Sequence, residues 1–423
     1  MPFSKLCLLL FLFTTSEIRS QQKADTINVR EIESILTYLA SDQLKGRANL
    51  TKEQLIAADF LGNKFKEFGL KPFPGLQYYY QPFIPTDEKK LLSKYDLKWN
   101  QKDLPSSSFL NLTSSLIREN KIFKDYRLIR AQSYLPDSIL FEHWHDTTDI
   151  LIWINRTFKP GDTLLPGNVI LPGNAPQNDI LIVAAPGEPV EIELSANKDF
   201  SNNVAYNVIG VLPGDSKPEE AIIFSAHYDH LNMDLSGSGN KVFNGANDNA
   251  SGTTAVLELA KYFSMRGDNA RTIIFCLFAG EELGLLGSQQ FVMDINPRKI
   301  KAVINIEMIG ITNRAGKNAF FITGAQFSNL KKILTKNLKE NKVKVTNEGI
   351  DLKMLFQRSD NYPFFLKGIP AHSIMCSDDT DPCYHKPCDD ASRIDFENMA
   401  RIIKAIAKSC QTLISGEDTP KLR

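Results

Sequence analysis

Apolar runs with the length of strands alternate with amphipathic runs from residue 205 onward, and this alternation restricts the fold more than any other feature. The runs AYNVIGVLPG and AIIFSAH predict two neighbouring strands, and SGTTAVLELAKYFS has the spacing of an amphipathic helix. Further strands are predicted at TIIFCLFAG, IKAVINIEMIG and GIPAHSIM, with helices between them. The pattern indicates an α/β fold, in which a three-layer mixed, mostly parallel sheet has helices on both faces.

The rest of the chain changes character along its length. Near the N-terminus, Lys5 precedes eight apolar residues, a layout typical of a secretory signal peptide and too short to span a bilayer. Short alternating apolar stretches among prolines and asparagines predict a β-rich insertion. We therefore divide the chain into a signal peptide (1–20), N-terminal helices (21–83), the β-rich insertion (84–200), the main α/β domain (201–415) and a C-terminal tail (416–423).

Charge and cysteine content limit the partners and the compartment. Basic and acidic residues number 49 each, so no net charge attracts nucleic acid or an anionic membrane. After signal cleavage we expect no membrane segment, and a location in the periplasm or outside the cell. Export permits disulfides, and Cys383 and Cys388, which bracket YHKP, can bridge a short loop. A thiolate cluster that binds metal is the alternative for these cysteines.

Two adjacent carboxylates, Glu281 and Glu282, follow the buried run TIIFCLFAG almost immediately. Two like charges at the end of a core strand repel each other and lose hydration. A solvated loop can explain them, but a metal ion with a bound water explains them better. The ion would stabilise one carboxylate, while the other would accept a proton from the water.

Other predicted strand ends carry similar side chains. His227 ends AIIFSAH, and Asp229 is placed to accept a hydrogen bond from the second nitrogen of a metal-bound imidazole. His230, the next residue, is predicted to be structural. Asp248 is the only charge in NGANDNASG, immediately before a helix, where it either favours the helix dipole or binds metal.

Two more loops complete the pattern. Glu307 ends the strand in INIEMIG, and Tyr384 and His385 lie in DPCYHKPCDD. Ligands of open α/β sheets bind beyond the carboxyl ends of the strands, so these loops are predicted to converge at one edge. Imidazole and carboxylate are donors that suit Zn²⁺.

The ordered motifs AHYDHL, NGANDNASG, AGEELGLLGS, INIEMIG, RSDNYPFFLKGIPA and YHKPCDD resemble the zinc aminopeptidases of peptidase family M28 over roughly residues 205–415. LASDQLKGR and KFKEFGLKP are similar to the usual start of that family. The insertion occupies the place where many members carry a protease-associated insert, and its identity stays open. The resemblance implies peptide substrates, hydrolysis of N-terminal residues and two zinc ions per chain. It leaves the oligomeric state open.

The resemblance also implies roles for individual residues. Asp248 would bridge both ions, and Glu281 would be the general base. Because relatives usually have aspartate at the position of Glu307, this residue either ligates metal or holds the free amine of the substrate. The other implied roles are metal ligation by His227 and Glu307 at one ion and by Glu282 and His385 at the other, oxyanion stabilisation by Tyr384, and lining or support of the substrate site by Arg358 and Asp360. Asp229 is counted with the catalytic residues because of its position beside His227, and not because of the resemblance.

Two alternatives stay open from the sequence. One is a glutaminyl cyclase, which has a similar fold and uses a single zinc ion. The other is a binding protein that keeps the fold without the metals. The complete set of candidate ligands favours hydrolysis with two metals over both.

Overall fold

The structure is a computed structural model, and it describes a defined part of the chain. The predicted signal peptide, residues 1–20, lies outside this part. No helix among the described residues combines the length and the apolar character needed to cross a bilayer. The described residues are 27–76, 78–83, 85, 95–105, 108–112, 121–131, 142–143, 146, 148–157, 159, 179–196, 204–233, 241–347 and 355–423.

Helices and strands alternate most regularly in the second half of the chain. The α-helices are α1 (Val29–Leu39), α2 (Lys52–Glu67), α3 (Ser251–Arg266), α4 (Leu286–Asp294), α5 (Leu330–Asn337), α6 (Asn361–Leu366), α7 (Phe396–Ser409) and α8 (Gln411–Ile414). The strands are β1 (Lys71–Pro72), β2 (Tyr80–Phe83), β3 (Tyr95–Trp99), β4 (Lys102–Leu104), β5 (Phe109–Leu112), β6 (Lys121–Ile122), β7 (Tyr126–Ala131), β8 (Asp149–Ile154), β9 (Ile180–Ala184), β10 (Ile192–Ala196), β11 (Ala205–Leu212), β12 (Lys217–His227), β13 (Arg271–Phe278), β14 (Ile300–Glu307), β15 (Ala319–Ile322), β16 (Lys344–Asn347) and β17 (Ala371–Met375).

The chain divides into two compact units. One comprises Leu50–Leu55 and Gln81–Tyr206, and the other comprises Ile56–Tyr80, Asn207–Arg423 and the described residues before Leu50. The smaller unit holds two four-stranded sheets, ordered β4-β3-β10-β6 and β5-β9-β8-β7. Their inward side chains form one apolar cluster, in which the rings of Trp99 and Trp153 lie 6.3 Å apart.

The larger unit is built on a mixed sheet whose strands follow the order β1-β11-β13-β12-β14-β17-β15-β16. Strands β13, β12, β14 and β17 run parallel. Ile223 packs in a cluster with Phe291 of α4 and Phe364 of α6, whereas the ring of the next residue, Phe224, stacks on Phe263 of α3. Consecutive residues of a strand point to opposite faces of the sheet. Helices α4 and α6 therefore cover one face, and α3 covers the other. The predicted fold class is confirmed.

The order of two strands differs from the sequence prediction. Strands β11 and β12 are not neighbours, because β13 lies between them. The β13 run is buried along almost its whole length, and it gains hydrogen bonds on both edges, antiparallel with β11 and parallel with β12. A hairpin of β11 and β12 would leave this apolar strand outside the centre of the sheet.

The parallel strands also fix the location of the candidate site. In the register of β12 and β14, Ser225 pairs with Asn305, so the two strands end side by side. In the register of β12 and β13, His227 pairs with Phe278. The carboxyl ends of these strands therefore meet at one edge of the sheet, where α/β proteins bind their ligands.

Candidate metal centre

The first candidate ligand set joins two strand ends and one turn. His227 is the last residue of β12 and Glu307 the last of β14, and both are buried. Nε2 of His227 lies 2.8 Å from Oε1 of Glu307 and 3.3 Å from Oδ1 of Asp248. These three residues can each offer one atom to a common cation.

Asp248 occupies a turn immediately before α3. Asp389 stabilises this turn, because the backbone N–H groups of Asn247 and Asp248 both donate to its carboxylate, each over 3.0 Å. Oδ1 of Asp248 faces His227, and Oδ2 lies 3.2 Å from Nε2 of His385. The two oxygens of one buried carboxylate thus face two different imidazoles.

The second candidate ligand set surrounds Glu282. Its Oε1 lies 2.8 Å from Nδ1 of His230, and its Oε2 lies 3.2 Å from Nε2 of His385. Together with Asp248 these residues offer four donor atoms, all within 4.8 Å of one another. From the sequence alone His230 is predicted to be structural, whereas the fold brings it into this ligand set. The available signal was its position beside His227 and Asp229, in a chain with only six histidines.

The residues at this edge fit a zinc site in chemistry and in charge. All the donors are imidazole nitrogens or carboxylate oxygens, which suit Zn²⁺. Burial opposes a charged imidazole, yet hydrogen bonds with Asp248 and Glu282 raise the pKa of His385 to about 10. Carboxylates likewise raise the pKa of His227, although burial again acts against the charged form. The field at this edge therefore favours cations.

Asp229 holds the loop that carries the two glutamates. Its carboxylate accepts hydrogen bonds from the backbone N–H groups of Glu281 and Glu282, each over 3.3 Å, and from the amide of Asn49 over 2.6 Å. The acceptor nearest to Nδ1 of His227 is the backbone carbonyl of Asp229, at 3.1 Å, while the carboxylate lies 3.7 Å away. Asp229 therefore contacts His227 mainly through its backbone.

Glu281 belongs to neither ligand set. Desolvation raises the pKa of this carboxyl group well above its usual range, and the carboxylates of Glu307 and Glu282 act in the same direction. A carboxyl group in such surroundings holds a proton more readily than an ordinary glutamate. Its chemistry suits a proton acceptor beside the ligand sets.

Glu307 directs its two oxygens to different partners. Oε1 faces His227, while Oε2 accepts hydrogen bonds from the hydroxyl of Ser359 and, over 3.4 Å, from the amide of Asn305. The neighbouring Asp360 is buried and accepts a hydrogen bond from Ser288 over 2.6 Å. Burial raises the pKa of Asp360 to about 7.

Tyr384 and its neighbours form the outer side of the site. The ring of Tyr384 stacks on that of His385, with centroids 3.9 Å apart. Arg358 donates to Asp379 over 2.6 Å and lies 3.5 Å from the hydroxyl of Tyr384. A disulfide joins Cys383 to Cys388 and closes the loop that carries His385.

Arg47 is a fully buried residue near the site, and no sequence motif predicts a role for it. Its guanidinium donates to the carbonyls of Tyr228, Asn244 and Gly245 over 2.7, 2.8 and 3.1 Å, and to that of Leu39. It therefore ties the loop after His227 to the turn before Asp248. Arg47 ends LASDQLKGR, a segment that resembles the usual start of the family, and this resemblance assigns no role to the arginine.

Comparisons with known proteins identify a family and relatives for this chain. Residues 207–410 match the model of peptidase family M28. Aminopeptidase YwaD of Bacillus subtilis is 28% identical over 235 residues, which are 53% of this chain and 48% of the relative. Leucine aminopeptidase 1 of Trichophyton rubrum is 31% identical over 219 residues, which are 49% of this chain and 58% of the relative. The chain thus spans about half the length of the curated relatives it matches.

A solved structure extends the similarity to most of the chain. The match to the structure of BSAP, described as a zinc aminopeptidase from Bacillus subtilis, covers 92% of this chain and 95% of the BSAP chain. The sequence identity is 18% and the TM-score is 0.53. At this identity the comparison shows a shared fold.

Proposed function

Because residues 207–410 belong to peptidase family M28, we propose that the protein is an exopeptidase of the aminopeptidase type that hydrolyses N-terminal residues from peptides with two zinc ions. One observation carries the proposal. The two carboxylate oxygens of Asp248 lie 3.3 Å from His227 and 3.2 Å from His385, and each imidazole belongs to a separate ligand set. A carboxylate shared in this way suits a two-metal centre.

The residues of the two sets would hold the ions as follows. His227 and Glu307 would bind one ion, Glu282 and His385 the other, and Asp248 both. We propose Glu307 as a ligand through Oε1, because its Oε2 is engaged by Ser359 and Asn305. When bound, two zinc ions lower the pKa of a bound water and polarise the scissile carbonyl.

The remaining residues would supply proton transfer and orientation. Glu281 would take a proton from the attacking water and deliver it to the leaving amine. The hydroxyl of Tyr384 would donate a hydrogen bond to the oxyanion, with Arg358 holding the phenol. Asp229 would fix Glu281 and Glu282 through their backbone N–H groups.

The two alternatives from the sequence are less well supported. The relatives described above are named aminopeptidases, which does not favour a glutaminyl cyclase. A binding protein without metals has no need for two buried ligand sets that share one carboxylate. Peptide substrates follow from the peptidase family.

We propose that the protein is exported to the periplasm or beyond. The signal-peptide pattern of residues 1–20 supports this proposal, and the disulfide between Cys383 and Cys388 is compatible with an oxidising compartment. N-terminal sequencing of protein recovered from cell fractions tests it. Intact residues 1–20 on protein confined to the cytoplasm would contradict it.

The decisive experiment measures metal content and peptide hydrolysis on the same sample. We expect two zinc ions per chain and release of chromophore from aminoacyl p-nitroanilides. A chelator should abolish this activity, and added zinc should restore it. Hydrolysis only of dipeptidyl substrates would contradict an aminopeptidase. One zinc ion per chain with cyclisation of N-terminal glutamine would support the cyclase instead.

A further inference from the structure

His230 is buried at the candidate metal centre and has a defined orientation. Its Nδ1 lies 2.8 Å from Oε1 of Glu282 and 3.9 Å from Oδ2 of Asp248. Its ring meets that of His385 edge to face, with centroids 5.6 Å apart. Nε2 on the other side of the ring is buried, with no hydrogen-bond partner among the described residues. The polar surroundings of this imidazole therefore lie on the side of the two carboxylates.

The backbone is shaped to hold this ring. Gly245 has φ +56°, and a Cβ placed on it would lie 2.5 and 2.6 Å from Cδ2 and Cγ of His230. Any larger residue at this position would displace the imidazole or the turn that carries Asp248. Arg47 fixes the same turn by donating to the carbonyl of Gly245 over 3.1 Å. The loop of Arg47 and the turn at Gly245 together fix the position of the His230 ring.

We propose that His230 is a fourth protein ligand, through Nδ1, of the ion held by Asp248, Glu282 and His385. This inference rests on the proposed two-zinc function. The donor atoms of the four residues lie within 4.8 Å of one another, so a single cation can contact all of them. Two nitrogens and two oxygens complete the tetrahedral environment that Zn²⁺ prefers.

The two metal sites then differ in kind. The set of His227, Asp248 and Glu307 offers three protein donors and keeps a position open for water, as in catalytic zinc sites. The set with His230 has four protein donors, as in structural zinc sites. We therefore expect the ion at the His230 site to bind first and to exchange more slowly.

The test measures metal affinity in the full chain after removal of metal. His230→Asn and His230→Gln keep a polar side chain, and circular dichroism of the metal-free variants checks that they fold. Competition with a chromophoric chelator gives the two zinc dissociation constants. Visible absorption after one equivalent of Co²⁺ reports tetrahedral coordination. A matched control is His372→Gln, because His372 is also buried but bonds to Thr323 and Ser328.

We expect the variants at His230 to weaken the tighter zinc site by more than about 100-fold, since losing even an outer partner of a ligand costs roughly 10- to 100-fold. The tetrahedral Co²⁺ absorption should disappear, while His372→Gln should keep both dissociation constants within about threefold. A smaller loss or an unchanged Co²⁺ spectrum would assign only hydrogen bonding to His230 and overturn the inference.

The failure of the proposed function gives a different result. If the wild-type chain binds a single ion, the two-metal proposal fails, and the effect of His230→Asn on that ion still decides whether His230 is a ligand. If the wild-type chain binds no zinc, both proposals are overturned.

Discussion

Glu281 and Glu282 are consecutive in the chain, yet the pKa values of their carboxyl groups shift in opposite directions. Burial raises the pKa of Glu281, and nearby carboxylates add to the effect. Burial and Asp248 also act to raise the pKa of Glu282, but its hydrogen bonds with His230 and His385 outweigh them, so this pKa is lowered. The end of β13 thus places Glu282, an anion suited to a cation site, beside Glu281, which is suited to accept a proton.

The first prediction concerns Glu281 as the general base. Glu281→Gln should lower kcat by about 10²- to 10⁴-fold, because the amide cannot accept the proton. Zinc content should stay at the wild-type value, since Glu281 belongs to neither ligand set. Steady-state kinetics and metal analysis of the same preparation measure both quantities.

The matched control for Glu281→Gln is Glu282→Gln at the next position. This variant should lose metal as well as activity, because Glu282 contacts both His230 and His385. Wild-type turnover in Glu281→Gln would assign the base to another residue.

The second prediction concerns Asp248 as the shared ligand. Asp248→Asn should weaken both zinc sites, because its two oxygens face both ligand sets. In the wild type, zinc at 100 times the dissociation constant of a site should add about 2.7 kcal/mol per site to the free energy of unfolding. In the variant this gain should vanish. Thermal unfolding with and without zinc measures the difference.

Asp390→Asn provides the control for Asp248→Asn, because Asp390 is a nearby aspartate whose carboxylate caps a short helix by accepting from the N–H of Ser392. It should respond to zinc like the wild type. An equal response of Asp248→Asn to zinc would remove Asp248 from the metal centre.

The strand ends could be predicted from the sequence because buried strands are continuous apolar runs. TIIFCLFAG and IKAVINIEMIG reveal where β13 and β14 end, and with them the positions of Glu281 and Glu307. The order of the strands could not be predicted in the same way, since β13 enters between β11 and β12 through long-range pairing. Hydrophobic periodicity predicts where a strand lies in the sequence, but it does not predict which strands pair with it in the sheet.

The contributions of His230 and Arg47 depend on contacts that no local pattern reports. His230 meets Glu282 across 52 positions of sequence, and Arg47 reaches Tyr228 across 181. A histidine in a turn and an arginine after a glycine are ordinary surface residues by composition. Only the folded chain shows that both are buried.

The third prediction concerns the buried guanidinium of Arg47. Burial lowers its pKa to about 10, so the group is still charged at neutral pH. Arg47→Met removes the donors to the carbonyls of Tyr228, Asn244 and Gly245. We expect the free energy of unfolding to fall by about 3 to 5 kcal/mol, because several buried carbonyls lose their donor at a cost of about 1 to 3 kcal/mol each. Urea denaturation of the metal-free protein measures it.

An exposed arginine gives the comparison for Arg47. Arg401→Met removes only an ion pair with Glu397 on the surface of α7, at 3.8 Å, and should cost about 0 to 1 kcal/mol. Equal stabilities of the two variants would show that Arg47 does not hold the metal-binding loops.

The fourth prediction concerns Glu258, a buried glutamate on α3. Both of its carboxyl oxygens lack a hydrogen-bond partner among the described residues. Burial, assisted by Glu31, raises its pKa from 4.5 to about 8, so the folded state keeps the proton at neutral pH. Because the unfolded chain releases this proton near pH 4.5, the stability contribution is complete below that pH. It is lost as the pH rises toward about 8.

Glu258→Gln removes this titration from the folded state. The stability of the wild type relative to the variant should fall on the order of a few kcal/mol between pH 5 and pH 8. Denaturation curves at several pH values measure the difference, and Glu397→Gln, at an exposed position on α7, should show little change. A pH-independent difference between wild type and Glu258→Gln would place the ionised form in the folded protein.

The fifth prediction concerns the disulfide that closes the loop around His385. Replacing Cys383 and Cys388 together by serine should lower the free energy of unfolding by about 2 kcal/mol, because the bond closes a short loop. His385 lies between the two cysteines and contacts Asp248 and Glu282, so zinc affinity should fall as well. A phosphine reductant should produce the same losses in the wild type and leave the double variant unchanged. Unchanged affinity in both would show that His385 is positioned by its contacts with the carboxylates alone.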